Sequence, residues 1–310
     1  MATPMSASEL RGVWGTVLLP LDPDDGIDPG RLRAEVDFLT RSDLHGVYAH
    51  GTAGEFHTLT EAEYDQVNAV LATASSAVGK PFQIGASHPL AHASLARVRR
   101  ARDLEPAAIQ VILPDWIPLS EAEVLRFLDR VAQVAAPVPL VLYSPPHAKT
   151  QVGPDLLARI VTEVPAVIGI KTLDRDDAWF ARMRSLAGRC ALFVPGHRLA
   201  SGLARGAHGS YSNIAALSPR GAAAWWRQMQ TDPDGAADVE RRIAEFFAAH
   251  VAPLAARGLG DPALDKFLAA VGGWADVGTR VRWPWVGAEE SVVAPARADA
   301  WALLPELVIH

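Results

Sequence analysis

Residues 46–86 read GVYAHGTAGEFHTLTEAEYDQVNAVLATASSAVGKPFQIGA, and this stretch holds the repeating unit of the whole chain. GVYAHG is a short apolar run of strand character. After a glycine-containing loop, Thr60 opens a segment of helical periodicity with glutamates close behind it, the pattern of a capped helix start. FQIGA, from residue 82, is apolar and short again. The unit is therefore strand, capped helix, strand, which implies a right-handed βαβ crossover and a parallel sheet. Apolar runs of this kind recur from residues 12, 46, 82, 108, 140, 167, 192 and 209. Segments such as DPGRLRAEVDFLTRSD and SEAEVLRFLDRVAQVA, which open on Asp28 and Ser120, lie between them. Eight such units predict an α/β fold, a closed (β/α)8 TIM barrel of roughly 250 residues. An open doubly wound sheet is the competitor, but no G-x-G-x-x-G follows the first strand. From about Leu217 the pattern turns helical throughout. We therefore expect a barrel over 1–220 and a C-terminal helical extension over 221–310 packed on it.

The 310 residues are 49% hydrophobic and 21% charged with a net charge of −6, enough apolar material for a large core and no disordered bias. That charge opposes a nucleic-acid surface, which needs a basic patch. The densest basic run, RVRRAR at 97–102, reads as a solvated helix face. MATPMSASELRG lacks a basic start followed by an apolar core, and no run of 18 uncharged apolar residues occurs, so a soluble cytoplasmic protein with no membrane partner is expected. Cys190 is the single cysteine. It excludes an intrachain disulfide, makes a thiolate metal cluster a poor reading and is expected in the core.

Active sites of such barrels lie at the C-terminal ends of the strands. The sixth strand ends in AVIGIKTLD, residues 166–174. Lys171 is one of only four lysines against twenty-five arginines, and it closes an apolar run. Unlike a guanidinium, a desolvated amine can lose its proton and attack a carbonyl carbon. Strand alternation puts Val167, Gly169 and Lys171 on one face, and if that face is inward the amine enters the mouth. The plainer alternative is a rim ion pair with Asp174 or Asp176. The second strand ends in AHGTAGE, where Gly51 and Gly54 let backbone N–H groups approach a carboxylate and Thr52 adds a hydroxyl. YSPP at 143–146 sets Tyr143 at the mouth, able to pass protons or merely to pack. His50, His88, His147 and His197 fall at predicted strand ends and suggest a polar second-substrate pocket.

In order along the chain, GTAGE near residue 51, YSPP at 143, GIKT at 169, GAHGSYS at 206 and VRWPW at 281 resemble the dihydrodipicolinate synthase/N-acetylneuraminate lyase family. The resemblance implies a Schiff-base-forming class I lyase or aldolase acting on a pyruvate-like 2-keto acid. Lys171 would form the imine, Tyr143 would relay protons, and Thr52 would hold the keto acid's carboxylate with Gly51, Ala53 and Gly54. Gly196, His197, Tyr211, Ser212 and His147 are the further substrate-binding candidates. No cofactor or metal is implied, and a homotetramer or homodimer is. The chain departs from dihydrodipicolinate synthase proper in three places. Ala53 stands where a second hydroxyl residue is usual, Asp115-Trp116 replaces a tyrosine pair, and Ala148 lies at or beside an expected arginine. A polar or acidic second substrate other than that of lysine biosynthesis is therefore expected, with His147, Lys149 and His197 beside it. GEFHTLTEAEY also resembles the loop of keto-deoxyglucarate dehydratases, which leaves water elimination from a sugar acid open. Two further rivals are a metal-dependent hydrolase with Lys171 as a carbamylated ligand and a catalytically inert binding protein.

Overall fold

The computed structural model describes residues 4–173 and 175–308. Eight parallel strands close in sequence order into a barrel. They are β1 (Gly12–Thr16), β2 (Gly46–Ala49), β3 (Phe82–Gly85), β4 (Ala108–Ile112), β5 (Leu140–Tyr143), β6 (Val167–Lys171), β7 (Ala191–Pro195) and β8 (Gly209–Tyr211). The crossovers carry α1 (Pro29–Arg41), α2 (Glu61–Val78), α3 (Ala91–Arg102), α4 (Glu121–Ala135), α5 (Pro154–Glu163), α6 (Asp177–Met183) and α7 (Leu199–Arg205). After β8 follow α8 (Asn213–Leu217), α9 (Pro219–Thr231), α10 (Pro233–Phe246), α11 (Ala252–Ala256), α12 (Asp261–Gly272) and α13 (Val293–Leu303). The expected (β/α)8 barrel with C-terminal helices is the fold observed.

Local chemistry explains the element starts. Asp28 accepts from the Gly30 and Arg31 N–H groups at the start of α1. Thr60 and Ser120 form reciprocal capping boxes with Glu63 and Glu123, satisfying orphan donors of the first turn. Two apolar layers result. Leu10, Trp14, Val141, Phe193 and Tyr211 fill the barrel interior, while residues such as Val47, Ile84, Ile109 and Ile170 pack outward against the helices.

Three sequence expectations change in detail. In β6 the pairing jumps from Leu140↔Val167 to Val141↔Gly169, so Ile168 is an inserted bulge residue. Val167 consequently joins the outer layer and Ile168 the inner one. Alternation from Val167 therefore misplaces that residue, although Gly169 and Lys171 do face inward, the bulge having reset the phase. The RVRRAR run is not wholly solvated, because Arg97 is 1% exposed. Its guanidinium pairs with Glu61 and lies 4.5 Å from the Tyr64 ring centroid. Position 220/221 falls inside α9, and the helices after it do more than flank the barrel: α12 packs on α8 and closes over the mouth. Cys190 is buried as expected. Among the described residues no helix is long and apolar enough to cross a membrane.

Candidate active site

The mouth holds a cavity of about 280 Å³ with Lys171 among its lining residues. The lysine leaves the end of β6 directly opposite Tyr143 of β5 and Phe193 of β7. Its Nζ lies 4.1 Å from the Tyr143 ring centroid, 5.2 Å from that of Tyr48 and 5.4 Å from that of Tyr211. It also donates to the Tyr48 hydroxyl at 3.4 Å. Apart from the cavity side, protein encloses the amine. Desolvation drives its pKa down to about 8, against the opposing pull of Asp265 and Asp261. A useful fraction of free amine near neutrality follows. Asp265 feels the same enclosure: burial, helped by Asp261, lifts its carboxyl to about 7, with Lys171 pulling the other way.

Tyr143 sits beside Thr52, whose Oγ1 donates to its hydroxyl at 3.4 Å. Burial raises the phenol's pKa, so near neutrality the hydroxyl is a neutral donor and acceptor. Tyr211 is held differently, its hydroxyl donating to Gln83 Oε1 at 2.6 Å in the barrel interior. The 51–55 loop approaches its surroundings closely. A Cβ on Gly51 would lie 2.8 Å from the Tyr48 ring, and one on Gly54 would lie 2.9 Å from the Val17 carbonyl. Among the described residues the N–H groups of Thr52, Ala53 and Gly54 donate to no protein acceptor. Thr52 and Ala53 of this loop share the cavity lining with Lys171.

That loop is braced from behind. Glu55, in a left-handed turn at φ 51°, pairs with Lys266 of α12 at 2.5 Å and accepts the Arg282 N–H at 2.9 Å. Lys266 also donates to the Arg280 carbonyl. The Arg282 guanidinium reaches the Asp25 and Thr58 carbonyls and Glu63. Helix α12 therefore faces two ways, Asp265 toward the cavity and Lys266 toward the loop that flanks it.

Of the residues singled out from the sequence, Lys171, Tyr143, Thr52, Ala53, His197 and Tyr211 line the cavity together. Gly51, Gly54, Gly196 and Ser212 shape its walls without lining it. Gly196 passes so close to Ser212 that a Cβ would meet the hydroxyl at 2.4 Å, and Ser212 itself caps α8. The four histidines do not converge. His50 turns back at φ 63° to bond Asn68 of α2 and pack on Tyr64, and burial drops its pKa to about 3. His88 accepts the Leu90 N–H at the start of α3. His147 is exposed outside the cavity, and Lys149 is turned onto Asp115 and Trp116. Only His197 remains, contacting Asn213 and stacked on Phe247 at 4.8 Å. Of the two proposed rim partners of Lys171, Asp176 instead caps Trp179 and Asp174 lies outside the described residues.

Sequence reasoning missed Tyr48, Asp261, Asp265 and the apolar residues contributed by the C-terminal helices. Alternation in β2, with Gly46 and Tyr48 on one face, carried a signal for Tyr48. The others are placed only by tertiary docking.

The chain belongs to the dihydrodipicolinate synthetase family, whose model matches residues 9–291. A DapA-like lyase, uncharacterized, of Thermococcus onnurineus is 25% identical over 174 residues, 53% of this chain and 56% of the relative. The match to this relative thus spans little more than half its length. A 4-hydroxy-tetrahydrodipicolinate synthase of Methanothrix thermoacetophila is 26% identical over 220 residues, 68% of this chain and 71% of that one. Among solved structures, YagE of E. coli K12, crystallised with pyruvate, superposes with a TM-score of 0.83 at 20% identity over 95% and 98% of the two chains. The Ruminococcus gnavus sialic acid aldolase gives 0.83 at 17% identity over 96% and 99%. At these identities the likeness is one of fold.

Proposed function

We propose that this protein is a class I lyase that makes or breaks a carbon–carbon bond through an imine between Lys171 and a pyruvate-like 2-keto acid. The observation that carries the reading is a single amine with a lowered pKa, enclosed by three tyrosines beside a loop of unused N–H donors. The neutral amine of Lys171 attacks the keto carbon and water leaves, giving a protonated imine. That cation draws electrons from the adjacent carbon, which loses a proton to become an enamine. In the condensing direction the enamine carbon attacks an aldehyde, the aldehyde oxygen takes up a proton, and water releases the 4-hydroxy-2-keto acid. Cleavage is the same sequence reversed. Thr52 and the 51–54 loop hold the carboxylate, and the Tyr143 hydroxyl, within reach of Thr52, passes the protons. By the same family likeness the chain works as a homodimer or homotetramer.

The sequence reading expects a polar or acidic second substrate. That expectation rests on His147, Lys149 and His197, and two of these point elsewhere, while no arginine is among the described residues lining the cavity. The test is to follow pyruvate release from 4-hydroxy-2-keto acids. Activity that vanishes in a folded Lys171→Met protein supports the lyase, and an active Lys171→Met protein ends the reading.

A further inference from the structure

The outer half of the cavity differs from its floor. Val194 of β7, Leu264 and Leu268 of α12, and Phe247 and Val251 give it an apolar wall. The last two begin and end a π-helical turn, Phe247–Val251, wedged between α10 and α11. Wide turns of this kind mark functional sites more often than ordinary helix does. His197 adds its ring face by stacking on Phe247. Against this apolar surface stand two carboxylates four residues apart on α12, Asp261 and Asp265. Among the described residues neither makes an ion pair, and Lys171 is the only cationic side chain other than the imidazole of His197 in the lining. Once that amine has become the neutral enamine of an anionic keto acid, the two carboxylates of α12 face the acceptor beside the apolar wall with no lysine ammonium opposite them.

An acceptor carrying a second carboxylate or a phosphate would meet like charge, with no arginine and no second lysine among the described lining residues to receive it. A polyhydroxylated acceptor would find partners in Thr172, His197, Asn213, Asp261 and Asp265, but its remaining hydroxyls would face Val194, Leu264, Leu268, Phe247 and Val251, which cannot bond them. An aryl or branched-alkyl group would displace water from apolar surface at no such cost. Resting on the lyase reading above, we propose that the outer half of this cavity is an acceptor subsite for an uncharged aldehyde with an aryl or branched-alkyl side chain, and that Asp261 and Asp265 exclude anionic acceptors. The bond formed joins the enamine carbon to the aldehyde carbon, and the aldehyde oxygen becomes the product's 4-hydroxyl, so no further reactant is needed.

The experiment pairs pyruvate with benzaldehyde, isovaleraldehyde, glyceraldehyde, glyoxylate and aminoacetaldehyde and measures kcat/KM for each. Borohydride capture of pyruvate on Lys171 is scored in parallel without any aldehyde. The expected result is capture of pyruvate together with a preference of about 100-fold or more for the two apolar aldehydes over glyoxylate. In the Asp261→Asn/Asp265→Asn double variant the ratio of glyoxylate to benzaldehyde turnover should rise about tenfold. Capture with a preference for the polyol, the anion or the amine overturns the subsite while leaving the lyase standing, as does a ratio that the double variant leaves unchanged. Absence of the pyruvate adduct overturns the lyase and the subsite with it.

Discussion

Replacing Lys266 by methionine removes the cation of a buried pair whose partner cannot relax into water. Lys266 is 0% and Glu55 1% exposed, with 2.5 Å between Nζ and Oε1. The substitution keeps an unbranched, apolar stem of similar length, so little packing is lost. It leaves the Glu55 carboxylate with the Arg282 N–H as its remaining partner and strips the Arg280 carbonyl of its donor. Breaking one half of such a pair costs about 3–5 kcal/mol. With an m-value of about 3 kcal/mol/M, the urea midpoint should fall by roughly 1–1.7 M, read by tryptophan fluorescence. A Glu55→Gln/Lys266→Met protein removes the stranded charge but retains an acceptor for Arg282, so it should recover most of that loss. Because Glu55 ends the loop that holds Thr52 against Tyr143, KM for the keto acid should rise in the single variant. A Lys266→Met protein less than about 1 kcal/mol below the parent, or a double variant no more stable than the single one, would refute this account of the brace.

Tyr143→Phe keeps the ring over Lys171 and removes a hydroxyl whose side-chain partner among the described residues, Thr52, is at 3.4 Å. Turnover should drop about 10²- to 10⁴-fold with the melting temperature nearly constant, and unchanged turnover would make Tyr143 a packing residue. Imine formation needs the neutral amine, so the rate of pyruvate capture should climb with pH and level off above about 8. Asp265 holds the proton on Lys171, and Asp265→Asn should therefore move that midpoint to lower pH; a profile shifted upward would contradict the geometry. Buried Glu35, with its carboxyl raised to about 8, keeps its proton when folded and loses it near pH 4.5 when unfolded. Stability should thus decline as pH climbs through that interval, and Glu35→Gln, which still accepts the Leu18 N–H, should melt higher than the parent at pH 8.5 but not at pH 4. An equal difference at both would sink the assignment.

The barrel was legible because its signals are local. Capping residues such as Thr60 and Ser120 and short apolar runs report on their own neighbourhoods, and all eight runs became strands. Lys171, Tyr143 and Thr52 were legible for a similar reason, each ending a strand or opening the loop after it. Asp265 was not, since an aspartate on an amphipathic helix reads as solvated until α12 is laid across the mouth. The histidines failed in the opposite sense. His50 lies at a strand end, yet a left-handed backbone at that residue sends its ring outward to Asn68, and strand alternation does not announce such a reversal. The bulge at Ile168 is equally silent, because it exchanges one apolar residue for another between two apolar layers.

The central claim is covalent, and one measurement addresses it: the intact protein is mixed with pyruvate, reduced with borohydride, weighed and then digested to locate the modification. The account predicts a gain equal to one reduced pyruvate per chain, confined to the peptide bearing Lys171, and no gain in Lys171→Met. An unmodified protein, or an adduct that survives the loss of Lys171, would contradict it.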